Sequence, residues 1–427
     1  MVVFDGTFVV SQVLSAAEAG DNLGQVNITT SSLTVINGSQ ISASSFGKGN
    51  VGSVNIIAED VVFDGVSPLG DSSGAFGQVV EGAEGSPGSV TITTSSLAVT
   101  NGAQISTNTS GQGDGGSVDI IAEDVVFDGV SPDGTAISGA FSEVLLEAEG
   151  NGGGISITAG SLEVTNGAAI SSSTVGNGEA GNIFITTDTQ LTLNENAQIS
   201  AFTESSGTGG NIILFAPETL NITGNGQITV SSSDSGNAGI IEIISPNITL
   251  SDGIDITAFT AGPGNAGNIN LEGDQINIQP NTQILAFTET TGDGGNITVK
   301  ATEILNLEAE TQLSVETNRG GKAGNIEITT PQLTIGKDAQ ISATVNLGAT
   351  TTDPGGNITI NTNELNISGE LGIFAETEAT ADAGTLTLNP YKTDPNLEIT
   401  FTNNGFISAS TSSTGNGGNI NLSAPES

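Results

Sequence analysis

The chain has no cysteine, no histidine and no tryptophan, a single tyrosine, and only six basic residues among 427. Without cysteine there are no disulfides, no thiolate metal sites and no cysteine nucleophile. Without histidine, the common catalytic triads and histidine-ligated metal centres are excluded as well. The basic residues stand against 47 acidic ones, a net charge of −41, so the surface field repels phosphate backbones and anionic lipid headgroups alike. No nucleic acid partner is expected. No apolar run reaches the ~18 to 20 residues of a membrane span. Met1 to Val10 lacks the basic start and long apolar core of a signal peptide.

What the chain has in quantity is glycine, 60 residues, with many Asn, Thr, Ser and Ile, a profile of short strands and tight turns with almost no helix. Glycine also recurs as an anchor followed two and four positions later by aliphatic residues. The anchors are Gly24, Gly52, Gly88, Gly116, Gly153, Gly181, Gly210, Gly239, Gly267, Gly295, Gly324, Gly356, Gly384 and Gly418. Most lie roughly 28 residues apart, the mark of a stacked repeat in which each unit buries its apolar face against its neighbours. Composition is uniform and no linker interrupts it. Residues 1–427 therefore read as one continuous repeat domain, with longer loops within 52–152 and regular coils over 153–427.

Each unit reads as three short strands. The first alternates inward aliphatic and outward polar residues, as in Val26-Asn27-Ile28-Thr29. A second apolar pair follows, such as Leu33/Val35, Leu191/Leu193 or Leu305/Leu307. The third comes after a turn such as Asn37-Gly38 or Asn101-Gly102, whose residues accept positive φ at low cost. It carries Gln-Ile-Ser or a variant, at Gln40, Gln104, Gln198, Gln227, Gln283, Gln312 and Gln340. This pattern predicts an all-β fold: a single-stranded parallel β-helix of about 14 coils of roughly 28 residues, with equivalent strands stacked ~4.8 Å apart. Near-identical stretches starting at Ala58 and Ala122 lead into extra loops, Gly65 to Ser73 and Gly129 to Ser138, and an insertion falls at Asn389 to Asn396. Met1 to Gly6 matches the middle of the same stretch, and Gly418 to Ser427 reads like a coil cut short, so the chain is expected to be truncated at both ends.

Several rows of residues invite a functional reading. Asn182, Asn211, Asn268, Asn296, Asn325, Asn357 and Asn419 each follow an anchor glycine. Stacked in successive coils they form an amide ladder, each bonding the next, and the glutamine series reads the same way. Phe202, Phe259, Phe287 and Phe374 sit on third strands; repeated phenylalanine reads as an internal column, with an exposed sugar-stacking platform as the alternative. Acidic turns at Gly113-Asp114-Gly115-Gly116 and Gly292-Asp293-Gly294-Gly295 resemble calcium-binding repeats but do not recur every nine residues. Weak, diffuse divalent-cation binding is expected there, with no dedicated cofactor or metal site. Asp60/Asp64 and Asp124/Asp128 are the carboxylate pairs a β-helix hydrolase would need, yet they recur with the repeat. The expectation is that the chain is not an enzyme.

With Gly-Asn-Ile-x-Ile, Leu-Thr-Val-x-Asn-Gly-Ala-Gln-Ile-Ser and Val-Val-Phe-Asp-Gly-Val in view, essentially the whole chain resembles the large filamentous-haemagglutinin-like exoproteins of cyanobacteria. That resemblance implies a right-handed parallel β-helix passed through an outer-membrane secretion barrel by two-partner secretion and displayed at the cell surface or released as an adhesin. The secretion domain that precedes the repeats in that family is not found in this sequence. The expected function is an extracellular structural, adhesin-like segment that meets a surface receptor, polysaccharide or matrix. The competing expectations are a polysaccharide-active β-helix enzyme and a cation- or lattice-binding solenoid.

Overall fold

The computed structural model describes residues 1–13, 24–346, 355–392 and 396–423. The chain-end residues 424–427, and 393–395 within the Asn389 to Asn396 insertion, lie outside these ranges. No helix occurs among the described residues, and parallel strands stack as a β-solenoid of about 13 turns of ~29 residues. The chain divides into two compact units, Met1–Leu214 and Phe215–Ser427, each a stack of coils.

Alternation in sequence becomes alternation in burial. Along Ile297-Thr298-Val299-Lys300 the two aliphatic side chains are buried and the other two are not. Ile297 pairs in register with Ile269 on one side and Ile326 on the other, and Val299 with Leu271 and Ile328. The same inward position therefore stacks on itself coil after coil, a ladder of Ile, Val and Leu shielded from solvent. Each side chain so buried contributes about 1.5–3 kcal/mol relative to exposure.

The first and second strands of several coils run together as one bent strand, as in Val118–Asp128, Ile155–Thr165, Ile183–Leu193 and Ile297–Leu307. Sequence alternation separates them because the bend interrupts the apolar pattern. In other coils the corner opens, and a hydroxyl bridges it: Thr94, Ser245, Thr330 and Thr362 each donate to the carbonyl two residues on. Third strands form a separate sheet, in which Gln283–Thr288 lies between Asp255–Thr260 and Gln312–Thr317.

The anchor glycines owe their identity to close approach. A Cβ placed on Gly295 would collide with the carbonyl oxygen of Gly267 one coil earlier, and one on Gly324 with that of Gly295. The same holds from Gly88 to Gly210 in the first unit and from Gly267 to Gly418 in the second. At this corner backbone packs on backbone, and no side chain fits between.

The extra loops are small tongues. Each is closed by an antiparallel bridge, Val66 to Ser72 in one and Val130 to Ile137 in the other. They leave the coil after the second strand and return to the third without disturbing the stacked register on either side.

Candidate functional site

The asparagines after the anchor glycines form a ladder whose main bond runs from backbone to side chain. Asn296 N–H donates to Asn268 Oδ1, Asn325 N–H to Asn296 Oδ1 and Asn357 N–H to Asn325 Oδ1, at 2.9, 2.9 and 3.0 Å. Amide-to-amide bonds reinforce two of these steps, from Asn296 Nδ2 at 3.1 Å and Asn325 Nδ2 at 3.3 Å. In the first unit Asn211 N–H donates to Asn182 Oδ1 at 2.9 Å. Thr385 stands between Asn357 and Asn419, receives the last link through its N–H, and has no side-chain carbonyl to pass on.

A second ladder, which the sequence reading missed, lies two residues before the anchors. Asn265 N–H donates to Asn237 Oδ1, Asp293 N–H to Asn265 Oδ1 and Lys322 N–H to Asp293 Oδ1, all within 2.9 Å. The first unit repeats it from Asp114 to Asn151 and from Asn151 to Glu179. Asp382, on the same row, has its carboxyl held below its ordinary range by the Asn416 backbone N–H and side-chain amide. The acidic turns at Asp114 and Asp293 each give one carboxylate oxygen to a backbone N–H of the next coil. Among the described residues no group of three or more acidic side chains is placed to hold a metal ion.

The glutamines stack only in part. Gln283, Gln312 and Gln340 are consecutive in register. Asp255 separates Gln283 from Gln227, and in the first unit Gly74 lies between Gln40 and Gln104, with Gly139 and Ala169 between Gln104 and Gln198. Their side-chain amides make no bonds to one another among the described residues; Gln40 and Gln104 instead donate to the tongue carbonyls of Ser72 and Ile137.

One aspartate of each pair supports a corner. Asp64 accepts from Thr100 Oγ1 and Asn101 Nδ2, and Asp128 from Thr165 Oγ1 and Asn166 Nδ2. Asn101 and Asn166 hold φ of 54°, the left-handed conformation that an Asn-Gly turn tolerates. Asp124 accepts from Ser161 Oγ at 2.7 Å.

The phenylalanines correct the expectation of an internal column. Along Gln283–Thr288 the inward residues are Ile284, Ala286 and Thr288, leaving Leu285 and Phe287 on the outer face, half-buried. Phe202, Phe259 and Phe374 are likewise outward. The Phe259 and Phe287 rings stack with centroids 5.3 Å apart and planes 10° from parallel. Phe374 meets Phe406 edge to face at 5.1 Å. Past Phe287 the outer face opens into a slot of about 290 Å³ lined by Leu285, Phe287, Gln312, Ser314, Glu316 and Asn318.

In the first unit one row of the third-strand side, through Gln78, Asn108, Glu143 and Ser173, is polar. Glu143 accepts from Ser171 Oγ and from Asn108 Nδ2, and its own N–H donates to Asn108 Oδ1. Burial pushes the Glu143 carboxyl up, against the lowering effect of those two side-chain donors. Nearby, two protruding turns flank a larger recess of about 670 Å³ whose lining includes Glu81, Glu84, Glu147 and Glu149. Glu84 is already paired with Lys48 at 2.6 Å.

No protein-family model, curated protein or solved structure matches this chain.

Proposed function

We propose that the chain is an extracellular, adhesin-like β-solenoid segment that holds an acidic, hydroxyl- and amide-rich outer surface against polysaccharide or matrix, without catalysing a reaction. The observation that carries this reading is the placement of the Phe259–Phe287 stack on the outer face beside Gln312, Ser314, Glu316 and Asn318. An aromatic surface bordered by hydrogen-bonding groups suits a ligand with apolar faces and polar edges. The conspicuous carboxylates of the repeat, Asp64 and Asp128, support turns of neighbouring coils, which leaves them poorly suited to general acid and base roles.

A polysaccharide-active enzyme is the second reading, favoured by the glutamate-lined recess at Glu81, Glu84, Glu147 and Glu149. One experiment separates the two. Beads coated with the chain are mixed with particles of cell-wall and matrix polysaccharide, and adhesion and released reducing ends are measured together. Adhesion without release is expected. Release of reducing ends that disappears in a Glu84→Gln or Glu149→Gln variant would establish the enzyme instead, and absence of adhesion to every particle would end the adhesin reading.

A further inference from the structure

We infer that the slot beside Phe287 is a binding subsite for a single pyranose ring of a neutral polysaccharide, stacked on the free face of that phenylalanine. The inference rests on the proposed surface-contact function and specifies where on the molecule, and for which class of glycan, that contact is made.

The geometry leaves one aromatic face available. Phe259 covers one side of the Phe287 ring in a near-parallel stack. On the other side the next residue of the same outer column is Glu316, paired in register with Phe287. A carboxylate takes the place of a third ring, and the slot opens there. Leu285, one outer position away on the same strand, gives the slot a second apolar wall. At about 290 Å³ it falls at the small end of ligand pockets, room for one ring rather than a buried chain.

The polar side is already oriented. Glu316 accepts from Ser314 Oγ at 2.6 Å and from Asn346 Nδ2 at 3.1 Å, and Asn346 Nδ2 also reaches Asn318 Oδ1 at 2.6 Å. These bonds fix the carboxylate without exhausting it, since each oxygen keeps a second lone pair for a hydroxyl donor. The Gln312 amide, which makes no side-chain hydrogen bond among the described residues, offers both a donor and an acceptor at the rim. A pyranose matches this arrangement. Its axial C–H face carries positive character toward the π-cloud, and its equatorial hydroxyls donate toward Glu316.

Charge selects among glycans. Glu316 sits within the slot, and the whole chain carries −41. Uronate or sulfate groups would meet like charge at close range with little screening inside the slot. Neutral glycans meet no such barrier.

Native affinity electrophoresis suits a chain of this charge, which migrates readily without denaturant. Wild type is run in gels containing mixed-linkage β-glucan, galactomannan, dextran or sodium alginate. At least one neutral polymer should retard it, and alginate should not. Phe287→Leu keeps apolar bulk but removes the π-face, and should weaken retardation at least tenfold with an unchanged circular dichroism spectrum. Glu316→Ala should weaken it likewise. Phe184→Ala, an exposed phenylalanine on the other sheet, should run as wild type. Retardation of Phe287→Leu equal to wild type would remove the slot as the site while leaving surface adhesion standing. Retardation by alginate alone would overturn the neutral class. Failure of all neutral polymers to retard wild type, with bead adhesion intact, would overturn the inference but not the adhesin reading.

Discussion

The backbone N–H of Asn296 donates to the side-chain carbonyl of Asn268, 2.9 Å away and one coil earlier. A side chain here does what a main-chain carbonyl does within a sheet, and it carries interstrand bonding past the end of the strands. Asn296→Ala removes the acceptor of Asn325 N–H and is expected to cost about 0.5–1.5 kcal/mol, the usual worth of one hydrogen bond whose donor still reaches water. Thr385→Asn, which supplies the missing carbonyl opposite Asn419, should be stabilising by a similar amount. Urea melts of both variants decide the matter, and opposite signs are required.

Two adjacent glycines should behave in opposite ways. A Cβ on Gly153 would collide with the Gly116 carbonyl and the Ser142 hydroxyl, whereas on Gly154 its nearest neighbour is Asn182 O at 3.8 Å. Gly153→Ala should therefore lose several kcal/mol or fail to fold. Gly154→Ala should be neutral, or gain ~0.4–1 kcal/mol from a less flexible unfolded chain. Comparable thermal midpoints for the two would refute close coil approach as the reason for the anchor glycine.

Ile328 is fully buried in the inward ladder between Val299 and Ile360. Replacing it by Asp places a carboxylate among aliphatic side chains with no partner, and should be severely destabilising, by more than ~4 kcal/mol. Glu327→Asp, on the neighbouring exposed position, should stay within ~0.5 kcal/mol. Limited proteolysis of both variants at one temperature reads the difference.

The pH dependence at Glu143 has a definite sign. Burial raises its folded carboxyl above the ordinary range, so the folded state holds this proton to higher pH than the unfolded chain does. Its contribution favours folding most below the unfolded pKa and is lost as pH rises through the folded value. Glu143→Gln removes the titrating group while keeping an acceptor for Ser171. The melting temperature of wild type relative to Glu143→Gln should therefore fall as pH is raised from acidic to neutral. A difference that does not vary with pH, or that rises, contradicts the assignment.

Much of this was legible in the chain because inward positions such as Ile297 and Val299 alternate cleanly with Thr298 and Lys300. The anchor glycines were visible as landmarks, but the reason for them lies in the carbonyl of another coil. Phe287 was misplaced for a physical reason. In Gln-Ile-Leu-Ala-Phe-Thr, hydrophobicity favours Phe inward and Thr outward, yet the register begun at Ile284 puts Ala286 and Thr288 inside and turns Leu285 and Phe287 outward. The lost alternation signal is that of small and hydroxyl residues in the core. The second ladder was readable as Asn or Asp two residues before many anchors, at Asn50, Asp114, Asn151, Asn237, Asn265, Asp293 and Asp382. Its mixture of Asn and Asp makes a fainter signal than the uniform Asn row after the glycine.

At the anchor corner each coil offers its successor only backbone, so one coil serves as a template for the next whatever side chains it carries elsewhere. A coding segment spanning whole coils can then be duplicated in frame without any new junction having to be repacked there. The near-identical passages from Ala58 and Ala122 have the form of two such copies, each carrying its own tongue. Coil number would be inherited by copying, and surface chemistry altered afterwards, one outward residue at a time.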